Sequence, residues 1–250
     1  MANLMTEDRE RWILSTLSEY GSISLSSASK SLGVSEQTVR RDIISLERQG
    51  LARRVRGGAQ STAPVSFRGR EAKNAEQKRL IAAKLLPLVP RQGVIAIDSS
   101  STMSFLASMI RDATDLTVVT NGVQTMRALQ DKPGIEALLL GGKLDSRGDS
   151  LVGPLAARCA SGFGYSIFFA SQAGLHRLRG GFDDTLEEAH IKQTFAECSA
   201  QVAVGVDASK LDQLSLAQSL ETSAIQTLAT DLDPGHRALD GMRKVISGVI

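Results

Sequence analysis

The chain has little of what metal sites and disulfide frameworks are built from. Of its 250 residues, two are cysteines and three are histidines. Cys159 and Cys198 fall in no CxxC or other ligand spacing. Both lie in apolar surroundings and read as buried, reduced thiols of a cytosolic protein. His176, His190 and His236 are dispersed, without HExxH or related spacing, so no metal and no cofactor is expected. No run of about 18 apolar residues occurs, which excludes a membrane-spanning helix. The opening "MANLMTEDRERW" has no basic segment followed by an apolar one, so it does not read as a signal peptide, and a cytoplasmic location is expected. A net charge of +2 is too small to announce a nucleic-acid partner, so any basic footprint must be local.

What is present suits a folded protein. A hydrophobic content of 42% supports a packed core, and a charged content of 22% argues against wholesale disorder. The length allows one large domain or two moderate ones. Residues 1–58 show short helical patterns and a basic end. Residues 76–250 alternate apolar, strand-like runs with amphipathic helices. Between them, 59–75 is small, polar and interrupted by Pro64 and Gly69, and reads as a linker. Strands are expected at "GVIAID" (93–98), "LTVVT" (116–120), "EALLLG" (136–141), "YSIFFAS" (165–171) and "AQVAVGVD" (200–207). These continuous apolar runs suit strands covered on both faces, and the helices between them predict an α/β domain with a mostly parallel sheet. Ligands bind such sheets beyond the carboxyl ends of the strands, where "DSSST", "TNG" and "GGK" fall. The hydroxyl cluster of "DSSST" could hold a phosphate, carry a nucleophile or cap a helix.

The N-terminal part carries the strongest signal. Trp12, Ile13 and Leu17 give a first helix its buried face, and Gly21 suits its end. "SLSSASKSL" reads as a short second helix, with Gly33 in the tight turn after it. Ser35 then caps a third helix whose buried stripe is Val39, Ile43 and Leu46. That stripe leaves Glu36, Gln37, Thr38, Arg40 and Arg41, with Ser35, on faces able to enter a major groove. "LARRVRGGA" follows as a wing whose Arg53, Arg54 and Arg56 can touch phosphate or minor groove.

"GVSEQTVRRDIISLERQGLARRVRGGA" resembles the N-terminal signature of the DeoR family of bacterial transcription regulators, a winged helix-turn-helix. The rest is similar to that family's effector domain, through "DSSST" (98–102), "TNG" (120–122), "LGGK" (140–143), "LVGP" (151–154), "EEAHIK" (187–192), "DASK" (207–210) and "TD" (230–231). The resemblance implies a C-terminal α/β fold like that of sugar-phosphate isomerases. It also implies a repressor of carbohydrate catabolic genes that binds a double-stranded DNA operator; because a single winged helix covers a short site, a homodimer or homotetramer is expected. The implied signal is a phosphorylated sugar or related metabolite.

The residue chemistry is compatible. Helix-end amides with Asp98, Ser99, Ser100, Ser101 and Thr102 suit a phosphate dianion. Thr120, Asn121 and the open backbone of Gly141 and Gly142 could approach sugar hydroxyls. Lys210 looks like the family's lysine near the ligand, and Asp207 either orients it or closes a strand. One departure is Ser100, where the family loop has glycine; a position demanding positive φ would strain a serine. The alternative class is an isomerase or deaminase fused to a DNA-binding module. Isomerases similar to this domain carry two carboxylates and then Lys-Gly-Gly. Here "FFASQAGLHRLRGG" (168–181) holds no acid, and Arg179 stands in the lysine's place. Glu187 or Glu188 could act as a base, but Glu188 and Lys192 are four apart, as in a helix-surface ion pair. Asp183-Asp184 and Glu187-Glu188 suit a helix start. The acid–base pair reads as missing, so no catalysis is expected.

Overall fold

The computed structural model describes residues 5–62, 66–145 and 148–250. Pro64 and the first four residues of the opening segment lie outside these. The chain divides into two units, Met1–Lys73 and Asn74–Ile250.

The first unit runs α1 (Thr6–Tyr20), β1 (Ser22–Ser24), α2 (Leu25–Leu32), α3 (Glu36–Arg48), β2 (Ala52–Val55), β3 (Gly58–Ser61) and α4 (Phe67–Ala72). Spacing at three and four residues puts Val39, Ile43 and Leu46 on one face of α3, where they pack with Ile13, Leu17, Ala28 and Leu32. Trp12 only flanks this core. Gly33 takes φ 65° after α2, a conformation that a side chain resists. β3 pairs antiparallel with both β1 and β2. Within the stretch 59–75, read as a linker, residues 59–61 belong to β3 and residues 67–72 form α4. The residues after Gly58 continue a wing strand, and Ser66 ties α4 to α1 by donating its hydroxyl to the Glu19 carbonyl at 3.0 Å. Small polar residues hid this because the strand is held by backbone pairing rather than by apolar side chains.

A buried ion pair joins α1 to α3. Arg9 meets the two Asp42 oxygens through Nε at 2.8 Å and Nη2 at 3.0 Å, a two-pronged contact that is shielded from water. The pair fixes how α3 sits, so that its opposite face points outward.

The second unit holds α5 (Ala75–Leu85), β4 (Gln92–Ile97), α6 (Ser101–Met109), β5 (Asp115–Thr120), α7 (Val123–Leu129), β6 (Ile135–Leu139), β7 (Lys143–Asp145), β8 (Ser150–Val152) and α8 (Pro154–Ala160). It continues through β9 (Ile167–Ala170), β10 (Gly174–His176), β11 (Gly180–Asp183), α9 (Leu186–Glu197), β12 (Val202–Gly205), β13 (Ala217–Leu220), β14 (Thr227–Ala229), α10 (Asp240–Arg243) and β15 (Gly248–Val249). Seven strands form one sheet in the order β15-β14-β12-β9-β4-β5-β6, and each pair in it is parallel. All five expected strands lie in this sheet. β14 and β15 escaped notice because they are too short to give an apolar run. β10, β11 and β13 form a separate antiparallel sheet.

Alternate residues of the central strands face opposite layers. Ile95, Ile97 and Phe169 pack against α5 and α6, with Ile81, Leu85, Met103 and Leu106. Ala96, Phe168 and Val204 pack on the other side, with Ile191 and Phe195 of α9 and Ala156 of α8. The chain fills the sheet from β4 outward to β6, then returns to β4's other side with β9. The strand order therefore reverses between β4 and β9, and a crevice is expected at their carboxyl ends. Cys159 and Cys198, read as buried, are half-buried free thiols.

Breaking the Arg9–Asp42 pair leaves a buried charge unpaired. Asp42→Ala is expected to lower the stability of the first unit by about 3–5 kcal/mol. Thermal unfolding followed by circular dichroism checks this; an unchanged first transition would show that the pair does not hold α3 in place.

Candidate functional site

Two surfaces carry functional side chains, one in each unit. In the first, the Ser35 hydroxyl accepts from the Thr38 amide at 3.2 Å and so caps α3. Because Val39, Asp42, Ile43 and Leu46 are the buried residues of α3, Glu36, Gln37, Arg40 and Arg41 are exposed and Thr38 is half-buried. The wing is set against α3 by Glu47, which accepts from the Arg54 amide at 3.0 Å and lies 3.6 Å from its guanidinium. Arg53, Arg54 and Arg56 are exposed on it. Between α3 and the wing lies a cleft of about 470 Å³ lined by Arg40, Arg54 and Arg56 beside Leu25, Ile43 and Val55. Sequence reading missed Arg9, Asp42 and Glu47, the residues that aim this surface. The signal was available in part: Asp42 breaks the exposed run of "RRD" at a buried helical position.

In the second unit, the carboxyl ends of β4, β5, β9 and β12 bring together Asp98, Asn121, Ser171, Gln172 and Asp207. Asp98 is fully buried, and its oxygens accept from the Ser100 amide at 2.8 Å and the Ser171 amide at 2.9 Å. Lys192 reaches in from α9. Its ammonium lies 2.6 Å from Asp183 and 3.3 Å from Asp98, and donates to the Ser171 carbonyl. Burial alone would lower its pKa, but Asp183, Asp98 and Glu188 outweigh burial and hold it above the ordinary lysine value. Glu188, one turn earlier on α9, accepts from the Ser99 hydroxyl at 3.3 Å and from Ser150, with the Asn121 amide at 3.5 Å. Its pKa is raised, first by burial, with the nearby Asp183 and Asp98 charges adding to the effect against Lys192 and the Ser150 bond. Among the described residues, Asn121 Oδ1, Ser171 Oγ, Gln172 Nε2 and Asp183 Oδ2 are buried without a hydrogen-bond partner. Unpaired buried polar atoms are costly, and those of Asn121 and Ser171, at the carboxyl ends of the two strands that flank β4, suit a polar ligand that pairs them.

This arrangement corrects the sequence reading in three places. Glu188 and Lys192 are not a helix-surface pair: Lys192 is 4% exposed and bound to Asp183 and Asp98. The carboxylates are not missing either, since Asp183 and Glu188 enter from β11 and α9, beyond the run 168–181. Ser100 is unstrained. It sits at φ −72° as the cap of α6, its hydroxyl accepting from the Met103 amide at 3.2 Å.

The other expected residues divide. Ser101 and Thr102 open α6 and are buried. The Thr120 hydroxyl accepts from the Gly122 amide at 3.0 Å and shapes the turn behind Asn121. Lys210 donates to the Gln172 carbonyl at 2.6 Å. Gly141 is exposed, whereas a side chain on Gly142 would meet Ala156 and the Val152 carbonyl at 2.9 Å. Packing of α8 and β8 thus accounts for that glycine. Arg179 is not brought to the crevice by any contact in the cluster. It is exposed at the β10–β11 turn, its guanidinium 5.0 Å from the centre of the Phe182 ring.

Comparison with known proteins matches each part of the chain to a family. The family described as "DeoR-like helix-turn-helix domain" matches residues 9–65, and "DeoR C terminal sensor domain" matches 73–232. The HTH-type transcriptional repressor GlcR of Bacillus subtilis (strain 168) is 30% identical, covering 94% of this chain and 92% of its own. The glycerol-3-phosphate regulon repressor of Escherichia coli (strain K12) is 26% identical over 90% of this chain and 91% of its own. Among solved structures, ribose 5 phosphate isomerase A from Neisseria gonorrhoeae is similar over 54% of this chain and 52% of that one, with a TM-score of 0.34 and 17% identity. Among the described residues, no helix is long and apolar enough to cross a membrane. The chain belongs to the DeoR family: it is a DNA-binding transcriptional regulator with a C-terminal sensor domain, and not an enzyme.

Proposed function

We propose that this regulator is a cytoplasmic repressor of carbohydrate catabolic genes, released from its operator by a phosphorylated sugar or polyol. The observation that carries the reading is the set of unpaired buried polar atoms of Asn121, Ser171 and Gln172, which follow the carboxyl ends of β5 and β9, with that of Asp183 at the end of β11. The chemistry of the crevice divides in two. At one side, the hydroxyls of Ser101 and Thr102 in α6 and their first-turn amides, which lack intrahelical partners, offer donors, and the Lys210 ammonium lies at the end of the neighbouring strands; together they suit a phosphate. At the other, Asn121, Asp183 and Glu188 offer acceptors to hydroxyl groups. The name of the glycerol-3-phosphate regulon repressor, a relative along nearly its whole length, supports the phosphorylated class.

At the operator, Glu36, Gln37, Thr38 and Arg40 are placed to meet base edges from the start of α3. Ser35, Arg41, Arg53, Arg54 and Arg56 are placed on backbone phosphates or the minor groove. One winged helix covers a short site, so a homodimer or homotetramer on repeated half-sites is the assembly proposed. The effector lowers operator affinity to the extent that it binds the free and operator-bound arrangements unequally.

Three outcomes check this reading. On a DNA fragment selected from a random pool by the wild-type chain, Arg40→Ala is expected to weaken binding by about tenfold or more, from roughly 1–3 kcal/mol for a lost base contact. Arg41→Ala is expected to reduce the salt slope by about 1. Unchanged mobility-shift titrations for both would show that α3 is not the reading helix. In a thermal-shift screen, one or more sugar phosphates should stabilise the wild-type chain and leave the Ser101→Ala/Thr102→Ala variant unshifted, while the unphosphorylated sugars stabilise neither. Equal shifts for both proteins would remove the phosphate from α6.

The third outcome concerns pH. The folded chain keeps a proton on Glu188 above the ordinary carboxylate range, where the unfolded chain has released it. Stability of the second unit therefore falls as pH rises from that range through the raised pKa, by about 1.4 kcal/mol per unit of rise. Glu188→Gln is expected to flatten this slope in melting temperature against pH. A slope as steep as the wild type's would place the titration elsewhere.

A further inference from the structure

Asn74 is the first residue after the DNA-binding unit. Its backbone is left-handed, at φ 55° and ψ 39°, a conformation costly for residues other than glycine and one that asparagine tolerates best. The residue precedes α5, where an asparagine side chain ordinarily caps the helix. Here it makes no capping bond. Its amide instead donates to Asp207 Oδ1 at 3.2 Å, across 133 positions of sequence.

Asp207 is buried, 3% exposed, and organises the turn that carries Lys210. Its Oδ1 also accepts from the Ser209 amide at 3.1 Å and from the Ser209 hydroxyl, and its carbonyl accepts from the Lys210 amide at 3.0 Å. Asp231 holds the same turn from the other side, accepting from the Ala208 amide at 2.7 Å. Lys210 in turn donates to the carbonyl of Gln172, whose own Nε2 is among the unpaired buried atoms. One carboxylate oxygen thus connects the Lys210 turn to the residue at which the chain leaves the DNA-binding unit.

We propose that Asn74 is a positioning residue, a tether by which the Lys210 turn holds the start of the sensor unit, so that a change at the turn is felt at the junction with the DNA-binding unit. The part concerning effector response rests on the placement of a phosphate near Lys210 argued above; the tether itself does not. The strained backbone at Asn74 is explained by this bond. A residue needed only to start α5 would take an extended backbone and cap the helix, as Ser100 does for α6.

Hydrogen–deuterium exchange on the full chain tests both parts. Without any added ligand, Asn74→Asp sets two carboxylates against each other and should speed exchange in the Lys210 turn and at the start of α5 by roughly two- to tenfold. Asn74→Gly accepts the left-handed backbone and removes only the donor to Asp207, so it should also speed exchange in the Lys210 turn, which local disruption of α5 alone would not do. If Asn74→Asp alters only residues 74–79, or Asn74→Gly leaves exchange at 207–210 unchanged, the tether is wrong. With glycerol 3-phosphate added, protection at 207–210 should be accompanied in the wild type by altered exchange across 66–80, and Asn74→Asp should lose that second change. Altered exchange at 66–80 to the same extent in Asn74→Asp overturns the coupling. Absence of protection by glycerol 3-phosphate and by inorganic phosphate counts against the phosphate placement and with it the effector part, while the ligand-free comparison still decides the tether.

Discussion

One ammonium group holds the sensor site together. Lys192 lies where the ends of β4 and β9 meet strand β11 and helix α9, within 3.3 Å of Asp98 and 2.6 Å of Asp183. Without it, two carboxylates would be buried side by side, and burial without a counter-charge is more than a fold of ordinary stability sustains. With it, Asp98 can organise the loop before α6 through two backbone amides, and α9 is drawn against the sheet with Glu188 turned inward. The remaining features of the site follow from that placement. Glu188, Ser99, Asn121 and Ser150 then form one contact group, and Asn121, Ser171, Gln172 and Asp183 each keep a buried polar atom without a hydrogen-bond partner.

The same principle acts in the DNA-binding unit, where Arg9 and Asp42 do for α3 what Lys192 does for α9. In both units a buried ion pair fixes the orientation of a helix, and that helix presents the functional side chains. Such pairs are a weak source of net stability, because desolvation offsets most of the attraction. Their effect here is on geometry: each breaks badly when one partner is lost, so each specifies how its helix is rolled.

Much of the fold was legible in the residues. The parallel sheet announced itself because its strands are buried on both faces and appear as unbroken apolar runs. Gly33, Ser35 and the Val39–Ile43–Leu46 stripe described the helix-turn-helix for local reasons: a left-handed turn, a cap and a helical period. The β3 strand and α4 were less visible, since "AQS" carries no apolar pattern and its pairing is with strands whose register only the fold supplies. At the site, the loop 98–102 could be found because hydroxyls follow a strand and precede a helix, whereas Ser100 could not be judged until its φ was known.

Local chemistry along the chain determined which segments become helix, strand or turn, which face of α3 is polar, and which family the protein belongs to. Tertiary structure alone decided which charges meet. Glu188 and Lys192 are spaced as a surface pair, and only the arrival of Asp98 and Asp183 from distant strands turns them into a buried cluster. Arg179 reads as a site residue by its place before two glycines, yet the hairpin leaves it exposed on Phe182. Asn74 and Asp207 stand far apart in sequence, and the sheet brings them within one hydrogen bond. The physical reason is common to all three. Helical and strand periodicities are properties of neighbouring residues, while the pairing of a buried charge depends on which strands the chain folds side by side.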